Sequence, residues 1–384
     1  ILGADGATVD GQSFVGKAYV LFGKEARSTF DPSNLGNGGF EIIGDPAQKL
    51  FISDQGISGL GDFNGDGFSD VAIGSTNGNG IVYVVFGKGD LADVDLANSN
   101  ASSISITGED GGRAGETLSG AGDVNGDGFA DLLIGDTFSD RAYVIFGSAS
   151  PVDINLAALG TAGFVIDGDS NGLNFNSMIS GAGDVNGDGL GDILLGDPCE
   201  DGASTCYGSA WVVFGKSDTA AVDLGSLGSD GFEVQPPANI SGSYSLGGVG
   251  GSGAGDVNGD GLADIIIAAY SADYSGPATG QAYVIFGKQN SNDVNVGAMN
   301  SNEGFLIAGS SEPSEGENDL AGWDCAGIGD VNRDGFDDVV VGARGGDPSG
   351  RDDAGEAYVL FGPGPGVTPG IIAATSTWFR SGDT

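Results

Sequence analysis

Short runs of apolar, β-branched and aromatic residues recur along the whole chain, separated by segments rich in Gly, Asp, Asn and Ser. Such runs are typical of β-strands, because a stable helix needs a longer periodic segment. The residues between them are those that form turns. Four runs can be matched in successive segments. We name them strands A, B, C and D, with examples at 118–122, 132–135, 143–146 and 104–107.

Two sequence blocks repeat together with these strands. The nine-residue pattern Asp-x-Asn-x-Asp-Gly-x-x-Asp lies between strand A and strand B, and the block aromatic-Val-x-Phe-Gly ends strand C. The first block begins at Asp62, Asp123, Asp184, Asp256 and Asp330. The second block ends at Gly23, Gly87, Gly147, Gly215, Gly287 and Gly362. The chain is therefore a tandem repeat of one β-structured unit.

Four short antiparallel strands in each repeat predict an all-β fold, a β-propeller of four-stranded antiparallel blades. Neighbouring blades cover the two faces that a single sheet leaves open. We expect one propeller domain over residues 1–384 with six blades, the first of them partial because its strand A and Asp motif are not in the sequence. The ranges are 1–54 for the partial blade and about 55–110, 111–170, 171–240, 241–312 and 313–384 for the complete blades. Alternatives are seven blades in a longer parent chain of which this is a fragment, a linear β-solenoid, and a string of small domains.

The nine-residue pattern has the composition of a metal-binding loop. Side chains at positions 1, 3, 5 and 9 and the carbonyl oxygen of position 7 can converge on one ion, and Gly at position 6 permits the turn. Three carboxylates with further oxygen donors suit Ca²⁺, whereas Mg²⁺ keeps more water. Turn formation alone could explain one copy, but five intact copies favour about five bound Ca²⁺ ions. The predicted ligands are Asp62, Asn64, Asp66, Phe68, Asp70, Asp123, Asn125, Asp127, Phe129, Asp131, Asp184, Asn186, Asp188, Leu190, Asp192, Asp256, Asn258, Asp260, Leu262, Asp264, Asp330, Asn332, Asp334, Phe336 and Asp338.

The charge of the chain is one-sided, with 54 acidic against 13 basic residues, a net charge of −41 and no His. Such a surface repels phosphate backbones and anionic lipids, so we expect neither nucleic acid nor a membrane as a partner. No apolar run is long enough to span a bilayer. Without His the commonest general base is missing, and we expect no enzymatic activity. A calcium-dependent enzyme that uses Asp, Tyr, Lys or Arg stays open as an alternative.

The three cysteines are too few for a disulfide scaffold. Cys199 and Cys206 lie close together in a Gly- and Asp-rich segment that they could bridge, whereas Cys325 has apolar neighbours and is expected to be a buried free thiol. The sequence begins at Ile1 with neither an initiator Met nor a signal peptide, as in a mature or truncated secreted chain. We therefore expect an extracellular or cell-surface location.

The two repeated blocks resemble the FG-GAP repeat of integrin α-subunit propellers and of secreted bacterial proteins similar to them. The resemblance rests on Phe-Gly pairs such as 86–87, 146–147 and 214–215, on the Asp loops, and on Gly-Ala or Gly-Asp-Pro steps after strand B. It covers essentially the whole chain and implies a Ca²⁺-stabilised extracellular propeller used in adhesion or ligand binding. Two features differ from that family: its ring usually has seven blades, and the Asp-x-Ser-x-Ser motif of an inserted ligand-binding domain is not in this sequence.

Recognition is expected at the face opposite the Asp loops, formed by the B–C and D–A connections, because these vary in length and the Asp loops do not. The candidates there are Tyr207, Tyr244, Tyr270, Tyr274 and Trp323, beside an acidic cluster of Glu312, Glu315, Glu317 and Asp319. The competing interpretations are that Trp323 and Tyr244 pack against neighbouring blades and that the acidic cluster belongs to a solvated loop.

The predicted function is a secreted calcium-binding module for adhesion, ligand binding or surface structure, with an extracellular protein, a glycan or further copies of itself as partners. Alternatives are a carbohydrate-binding lectin and a calcium-dependent polysaccharide-active enzyme.

Overall fold

The computed structural model describes residues 1–4, 6–8, 11–12, 15–23, 31–32, 35–48, 55–98, 102–168, 178–198, 207–238, 244–248, 250–272, 279–309, 320–346, 355–362 and 372–373. In these segments the regular structure is β-strand apart from three single-turn 3₁₀ helices, at Gly36–Gly38, Leu156–Ala158 and Leu224–Ser226. None of the helices in this part of the chain has the length and apolar content to cross a membrane. The chain forms two compact units, Ile1–Asp167 with Ser217–Ala221, and Gly168–Lys216 with Val222–Thr384.

The first unit contains three sheets whose strands follow one another in chain order. The first sheet consists of β1 (Leu2–Ala4), β2 (Lys17–Leu21), β3 (Gly39–Ile43) and the short β7 (Val94–Asp95). The second consists of β4 (Ile57–Gly61), β5 (Asp70–Ser75), β6 (Ile81–Val85), β8 (Ser103–Thr107) and the short β12 (Ile154–Asn155). The third contains β9 (Thr117–Gly122), β10 (Asp131–Asp136), β11 (Arg141–Ile145) and β13 (Gly163–Asp167).

The second unit repeats the same order. Its first sheet consists of β14 (Met178–Gly183), β15 (Asp192–Asp197), β16 (Ser209–Val213), β18 (Gly231–Gln235) and the short β22 (Val294–Asn295). The next consists of β19 (Gly251–Gly255), β20 (Asp264–Ala269), β21 (Gln281–Ile285), β23 (Gly304–Ala308) and the short β27 (Ile372–Ala373). The last contains β24 (Ala321–Gly329), β25 (Asp338–Ala343) and β26 (Glu356–Leu360). A further short strand, β17, spans Val222–Asp223.

The predicted strands A to D are therefore present as antiparallel neighbours in each repeat where they are described. In the first segment β1, β2 and β3 occupy the places of strands B, C and D, as the sequence predicts. The offset of 17 residues that separates the Phe-Gly glycine from strand D in most repeats predicts a last strand D beginning at Phe379, which lies outside the described residues. The all-β class with propeller-type sheets is confirmed, while one closed ring of six blades in a single domain stays a prediction.

The sequence pattern did not predict one pairing in the sheets. A two-residue strand from the next repeat pairs in parallel with strand D. Val94 lies opposite Ile42 in this pairing. The side chain of Asp93 accepts the N–H of Glu41 at 2.8 Å, which anchors the short strand at the sheet edge. Two residues are too few to show an apolar pattern, so this pairing is visible only in three dimensions.

The core lies between the faces of neighbouring sheets. In the first unit Leu132 and Ile134 of β10 share one apolar cluster with Val82 and Val84 of the preceding sheet, and all four are fully buried. A corresponding cluster in the second unit joins Leu194 of β15 to the neighbouring sheet. Because strands B and C are covered on both faces, they read as continuous apolar runs and not as alternating patterns.

Candidate functional site

Each Asp motif forms the turn between strand A and strand B. In the first loop the glycines at positions 4 and 6, Gly65 and Gly67, have φ angles of 75° and 89°, which are strained for residues with a side chain. Gly at position 6 is thus required by the turn, as predicted. The fifth loop places Arg333 at position 4 with φ of 65°, so this loop carries a strained residue that the others avoid.

The first aspartate of each loop closes the turn by accepting backbone N–H groups. Oδ1 of Asp62 accepts from Gly65 at 2.7 Å and from Asp66 at 3.0 Å, and its Oδ2 accepts from Gly67 at 2.9 Å. Asp123, Asp184 and Asp256 make the same three contacts in their loops. The repeated sequence therefore folds into one repeated geometry.

The last aspartate of each loop joins the Asp motif to the Phe-Gly block. Asp70 is fully buried; its Oδ2 accepts the N–H of Phe63 at 2.9 Å and its Oδ1 accepts the N–H of Gly87 at 2.7 Å. The same bond to the Phe-Gly glycine is made by Asp131, Asp192, Asp264 and Asp338. A Cβ on Gly87 would lie 2.4 Å from the carbonyl oxygen of Ser69, which explains why this position is Gly.

Burial makes the negative charge of the last aspartate unfavourable. It raises the pKa of Asp70 to about 6 and that of Asp131 to about 7. The carboxylates of Asp127 and Asp123 raise the pKa of Asp131 further. Burial likewise raises the pKa values of Asp192 and Asp264 to about 7. A cation beside these groups would offset both the desolvation and the repulsion.

The donor chemistry of the loops fits Ca²⁺. Every potential ligand is an oxygen atom, and an oxygen that accepts one backbone N–H keeps a second lone pair for a cation. In the described segments no three Asp, Glu, His or Cys side chains come together closely enough to form a ready metal cage. The carboxylates turn instead towards backbone N–H groups of their own loops. The assignment of the twenty-five ligands stays a prediction.

Neighbouring loops within a unit are hydrogen-bonded to each other, which the sequence did not indicate. The N–H at position 8 of one loop donates to the carbonyl oxygen of position 1 in the preceding loop. The pairs are Ala130 with Asp62 at 3.0 Å, Ala263 with Asp184 at 2.9 Å and Asp337 with Asp256 at 3.1 Å. Asp337 adds a second contact, because its Oδ2 accepts the N–H of Asp256 at 2.8 Å. Asp337 is partly buried between these two loops.

The candidate recognition residues fall into different environments. Tyr270 and Trp323 are partly buried and pack edge to face, with ring centroids 5.1 Å apart. Tyr207 is also partly buried, against the core of its unit. Tyr244 is buried and donates its O–H to Oε1 of Gln281 at 3.0 Å, which agrees with the competing interpretation that it packs in the core and not with a role in recognition. Hydrogen-bonding capacity allowed this tyrosine to enter the core.

Some predicted features lie outside the described residues. They are the Cys199–Cys206 disulfide, Tyr274 and the acidic cluster of Glu312, Glu315, Glu317 and Asp319. Cys325 is buried and free, as the sequence predicts.

An open, shallow cavity of about 360 Å³ lies beside Trp323 in the last sheet. Arg344 stacks on the indole, with its guanidinium carbon 4.4 Å from the ring centroid. Asp324 and Glu356 add carboxylates, and Gly342 and Gly355 leave room between them. Strand β24 begins near Trp323 and ends at the fifth Asp loop, so the cavity lies at the opposite strand ends. Sequence analysis selected Trp323 and missed Arg344 and Glu356, because nothing in the sequence links residues of three different strands.

Comparison with known proteins identifies the repeat. The FG-GAP repeat model matches residues 57–85, 114–154, 249–285 and 326–360. The third Asp loop, at Asp184, lies outside these ranges although it makes the same first-aspartate contacts as the first, second and fourth loops.

The chain is also similar to integrin α subunits. Integrin alpha-PS5 of Drosophila melanogaster is 29% identical over 200 residues, 47% of this chain and 19% of that protein. Integrin alpha pat-2 of Caenorhabditis elegans is 28% identical over 232 residues, 55% of this chain and 17% of that protein. Integrin alpha-PS3 of Drosophila melanogaster is 32% identical over 106 residues, 27% of this chain and 10% of that protein. The aligned part spans less than a fifth of each relative. The chain therefore contains four matched FG-GAP repeats and is similar to part of integrin α subunits, which is consistent with an integrin α-like FG-GAP family.

Proposed function

We propose that this chain is an extracellular, calcium-stabilised module for adhesion or ligand binding. The observation that carries the proposal is the repeated Asp loop, in which a buried last aspartate is bonded to the glycine of the Phe-Gly block. A turn made only for structure does not need three aspartates within nine residues. Each of the five loops carries three aspartates, and a bound cation that compensates their negative charge accounts for this repetition.

In this proposal calcium is structural. The ion supplies positive charge at the loop, and the protein supplies the oxygen donors at positions 1, 3, 5, 7 and 9. The first aspartate curls the loop, and the buried last aspartate ties the loop to strand C. Since only the folded loop presents these donors together, calcium binding adds to the free energy of unfolding.

The ligand-binding part of the proposal rests on the rigid sheets and on the connections at the strand ends away from the Asp loops. Such connections on a rigid scaffold are suited to recognition. The partners would be an extracellular protein, a glycan or further copies of the chain. With no His in the sequence, we assign binding and no catalysis to this surface.

Calcium binding is tested by thermal unfolding and by direct measurement of bound calcium. Saturating Ca²⁺ should raise the unfolding midpoint over that in EGTA, since each site filled at a hundredfold excess over its Kd contributes about 2.7 kcal/mol. Asp127→Asn should lower the number of bound ions by about one, as expected for loss of one charged ligand. Asp110→Asn, at an exposed aspartate outside the loops, is the matched control and should leave the number unchanged. Equal midpoints with calcium and EGTA would contradict the calcium role.

Adhesion is tested separately. Beads coated with the protein should bind cell surfaces or extracellular-matrix preparations in calcium more strongly than in EGTA. Absence of binding in calcium, with the protein folded, would contradict the adhesion role and leave the structural calcium role standing.

A further inference from the structure

We propose that the fifth Asp loop, residues 330–338, is the weakest calcium site of the chain and responds to changes in free calcium while the other four loops stay loaded. This inference rests on the proposed calcium role and adds regulation to it. Four observations carry it: the backbone at position 4, the contacts of the first aspartate, the direction of two charged side chains, and the packing of neighbouring loops.

The backbone at position 4 differs between the fifth loop and the others. Gly occupies this position in the first four motifs, whereas the fifth motif has Arg333 with a φ angle of 65°. A residue with a side chain adopts this left-handed conformation at a conformational cost that glycine does not have. The loop needs the conformation to present its oxygen donors to one ion, so the cost lowers the affinity for calcium.

The first aspartate of the fifth loop is held by fewer hydrogen bonds. Oδ1 of Asp330 accepts the N–H of Asp334 at 3.0 Å, and its Oδ2 accepts the N–H of Gly335 at 2.9 Å. In the first loop a third bond comes from the N–H of Gly65 at position 4, but within the fifth loop, whose nine residues are all described, Arg333 makes no such bond. Calcium affinity depends on the rigidity of the site, because ligands that are fixed in advance lose less freedom on binding.

The two additional charged residues of the fifth motif act on different loops. Arg333 is exposed and places a positive charge at the fifth loop itself, where it opposes a cation. The carboxylate of Asp337 faces the fourth loop instead, since its Oδ2 accepts the N–H of Asp256 at 2.8 Å. The negative charge of Asp337 therefore favours a cation in the neighbouring loop more than in its own.

The first, third and fourth loops are each covered by the loop that follows. In the first loop the carbonyl oxygen of Asp62 accepts the N–H of Ala130 at 3.0 Å. The ring of Phe129 lies so close to Gly65 that an added Cβ would come within 2.5 Å of it. Leu262 covers Gly187 and Phe336 covers Gly259 in the same way. A side chain at position 4 would prevent this packing, which explains the glycine there.

The fifth loop lacks this cover in the described part of the chain. Its position 2 residue, Val331, is 55% exposed, whereas the residues at position 2 of the other four loops are at most 1% exposed. These four are Phe63, Val124, Val185 and Val257. Packing from a neighbour therefore holds the other loops in their folded form more firmly than the fifth.

A weak fifth site gives the last sheet a response to calcium. The fifth loop forms the turn between β24 and β25. As free calcium falls, this loop loses its ion first and the turn opens locally, while the turns of the other sheets stay closed.

Hydrogen exchange with mass spectrometry on the complete 384-residue chain, over a buffered series of free calcium concentrations, provides the test. Residues 330–338 should become protected at a higher calcium midpoint than residues 62–70, 123–131, 184–192 and 256–264. Competition with a fluorescent calcium chelator should show one ion that binds more weakly than the rest.

Three variants at one position separate conformation from charge. Arg333→Gly should lower the calcium midpoint of residues 330–338 about tenfold, the size expected for relief of a left-handed residue. Arg333→Ala removes the charge and keeps the unfavourable backbone, so it should lower the midpoint less. Arg333→Lys keeps both and is the matched control, with an unchanged midpoint. The other four loops should keep their midpoints in all three variants.

Two results would overturn the inference while the calcium role stands. One is a midpoint for residues 330–338 that equals or lies below those of the other loops. The other is an unchanged midpoint in Arg333→Gly. If calcium protects none of the five loops, the inference fails together with the proposed calcium role.

Discussion

The backbone N–H of Ala263, in the fourth Asp loop, donates a 2.9 Å hydrogen bond to the carbonyl oxygen of Asp184, the first residue of the third loop. The side chain of Leu262 lies against Gly187 of the same third loop. Asp184 also closes its own loop through its carboxylate, so one residue takes part in two loops. Neighbouring loops are therefore one connected structure within the unit.

This connection predicts that a defect in one loop spreads to the next. Asp188→Asn, which removes one carboxylate from the third loop, should increase hydrogen exchange there and, to a smaller extent, at residues 256–264. Residues 330–338 should change least, because the fourth loop stands between them and the altered site. Hydrogen exchange with mass spectrometry in calcium measures all three segments. An effect confined to the third loop would show that the loops behave independently.

The glycine of the Phe-Gly block should be sensitive to a single added methyl group. Gly87→Ala would place Cβ 2.4 Å from the carbonyl oxygen of Ser69 and strain the bond to Asp70. We expect a loss of about 1–3 kcal/mol in the free energy of unfolding. Gly89→Ala is the control, since its Cβ would meet Phe68 at an ordinary 3.4 Å. Urea unfolding measures both; equal stabilities for the two variants would contradict the close-approach explanation.

Asp337 should stabilise the junction between the fourth and fifth loops. Asp337→Ala removes the acceptor of the Asp256 N–H and should cost about 1 kcal/mol in unfolding free energy. Exchange of amide protons at residues 256–262 should increase. Ser69→Ala, at the equivalent and exposed position of the first loop, is the control. If both variants unfold at the same urea concentration as the parent, the side chain of Asp337 has no stabilising role.

The environment of Lys288 predicts that the free energy of unfolding depends on pH. Burial lowers its pKa from 10.5 to about 8, although Asp293 and Glu303 act in the opposite direction, and its ammonium lies 3.8 Å from the ring centroid of Phe232. Between pH 8 and 10.5 the unfolded chain therefore binds this proton more readily than the folded chain. The contribution of Lys288 to stability consequently rises with pH across that window.

The measurement compares urea unfolding at pH 7.5 and pH 9.5 in constant calcium. The parent should gain about 1 kcal/mol more over this interval than Lys288→Met, after allowance for the partial exposure of the side chain. Lys288→Arg should also lack the gain, since a guanidinium does not titrate in this range. Identical pH profiles for all three proteins would place the pKa of Lys288 outside the window.

Much of the local structure follows from sequence because the residues that form each strand and each turn lie close together within a repeat. The Asp motif predicted a tight turn between two strands, and the turn is present with Gly67 at a positive φ. The run ending in Phe86 and Gly87 predicted strand C, and β6 occupies it. These features depend on residues that are neighbours along the chain, so their side-chain types are sufficient to indicate them.

Other features depend on contacts across the sheet, and the sequence pattern did not reveal them. The bond between Asp70 and Gly87 spans 17 positions and forms only when strands B and C pair. Tyr244 resembles an exposed loop residue by its neighbours, yet the core buries it because Gln281 satisfies its hydroxyl.

The amino-acid sequence by itself determined the repeat, the strand order within each sheet and the composition of the Asp loops, since these are short-range properties that recur along the chain. Tertiary structure alone decided which loops touch, which aromatic side chains are buried, and that Trp323, Arg344 and Glu356 line one cavity. The physical reason is that close packing of sheets selects partners by shape and by hydrogen-bond satisfaction, and neither is encoded in the spacing of residue types.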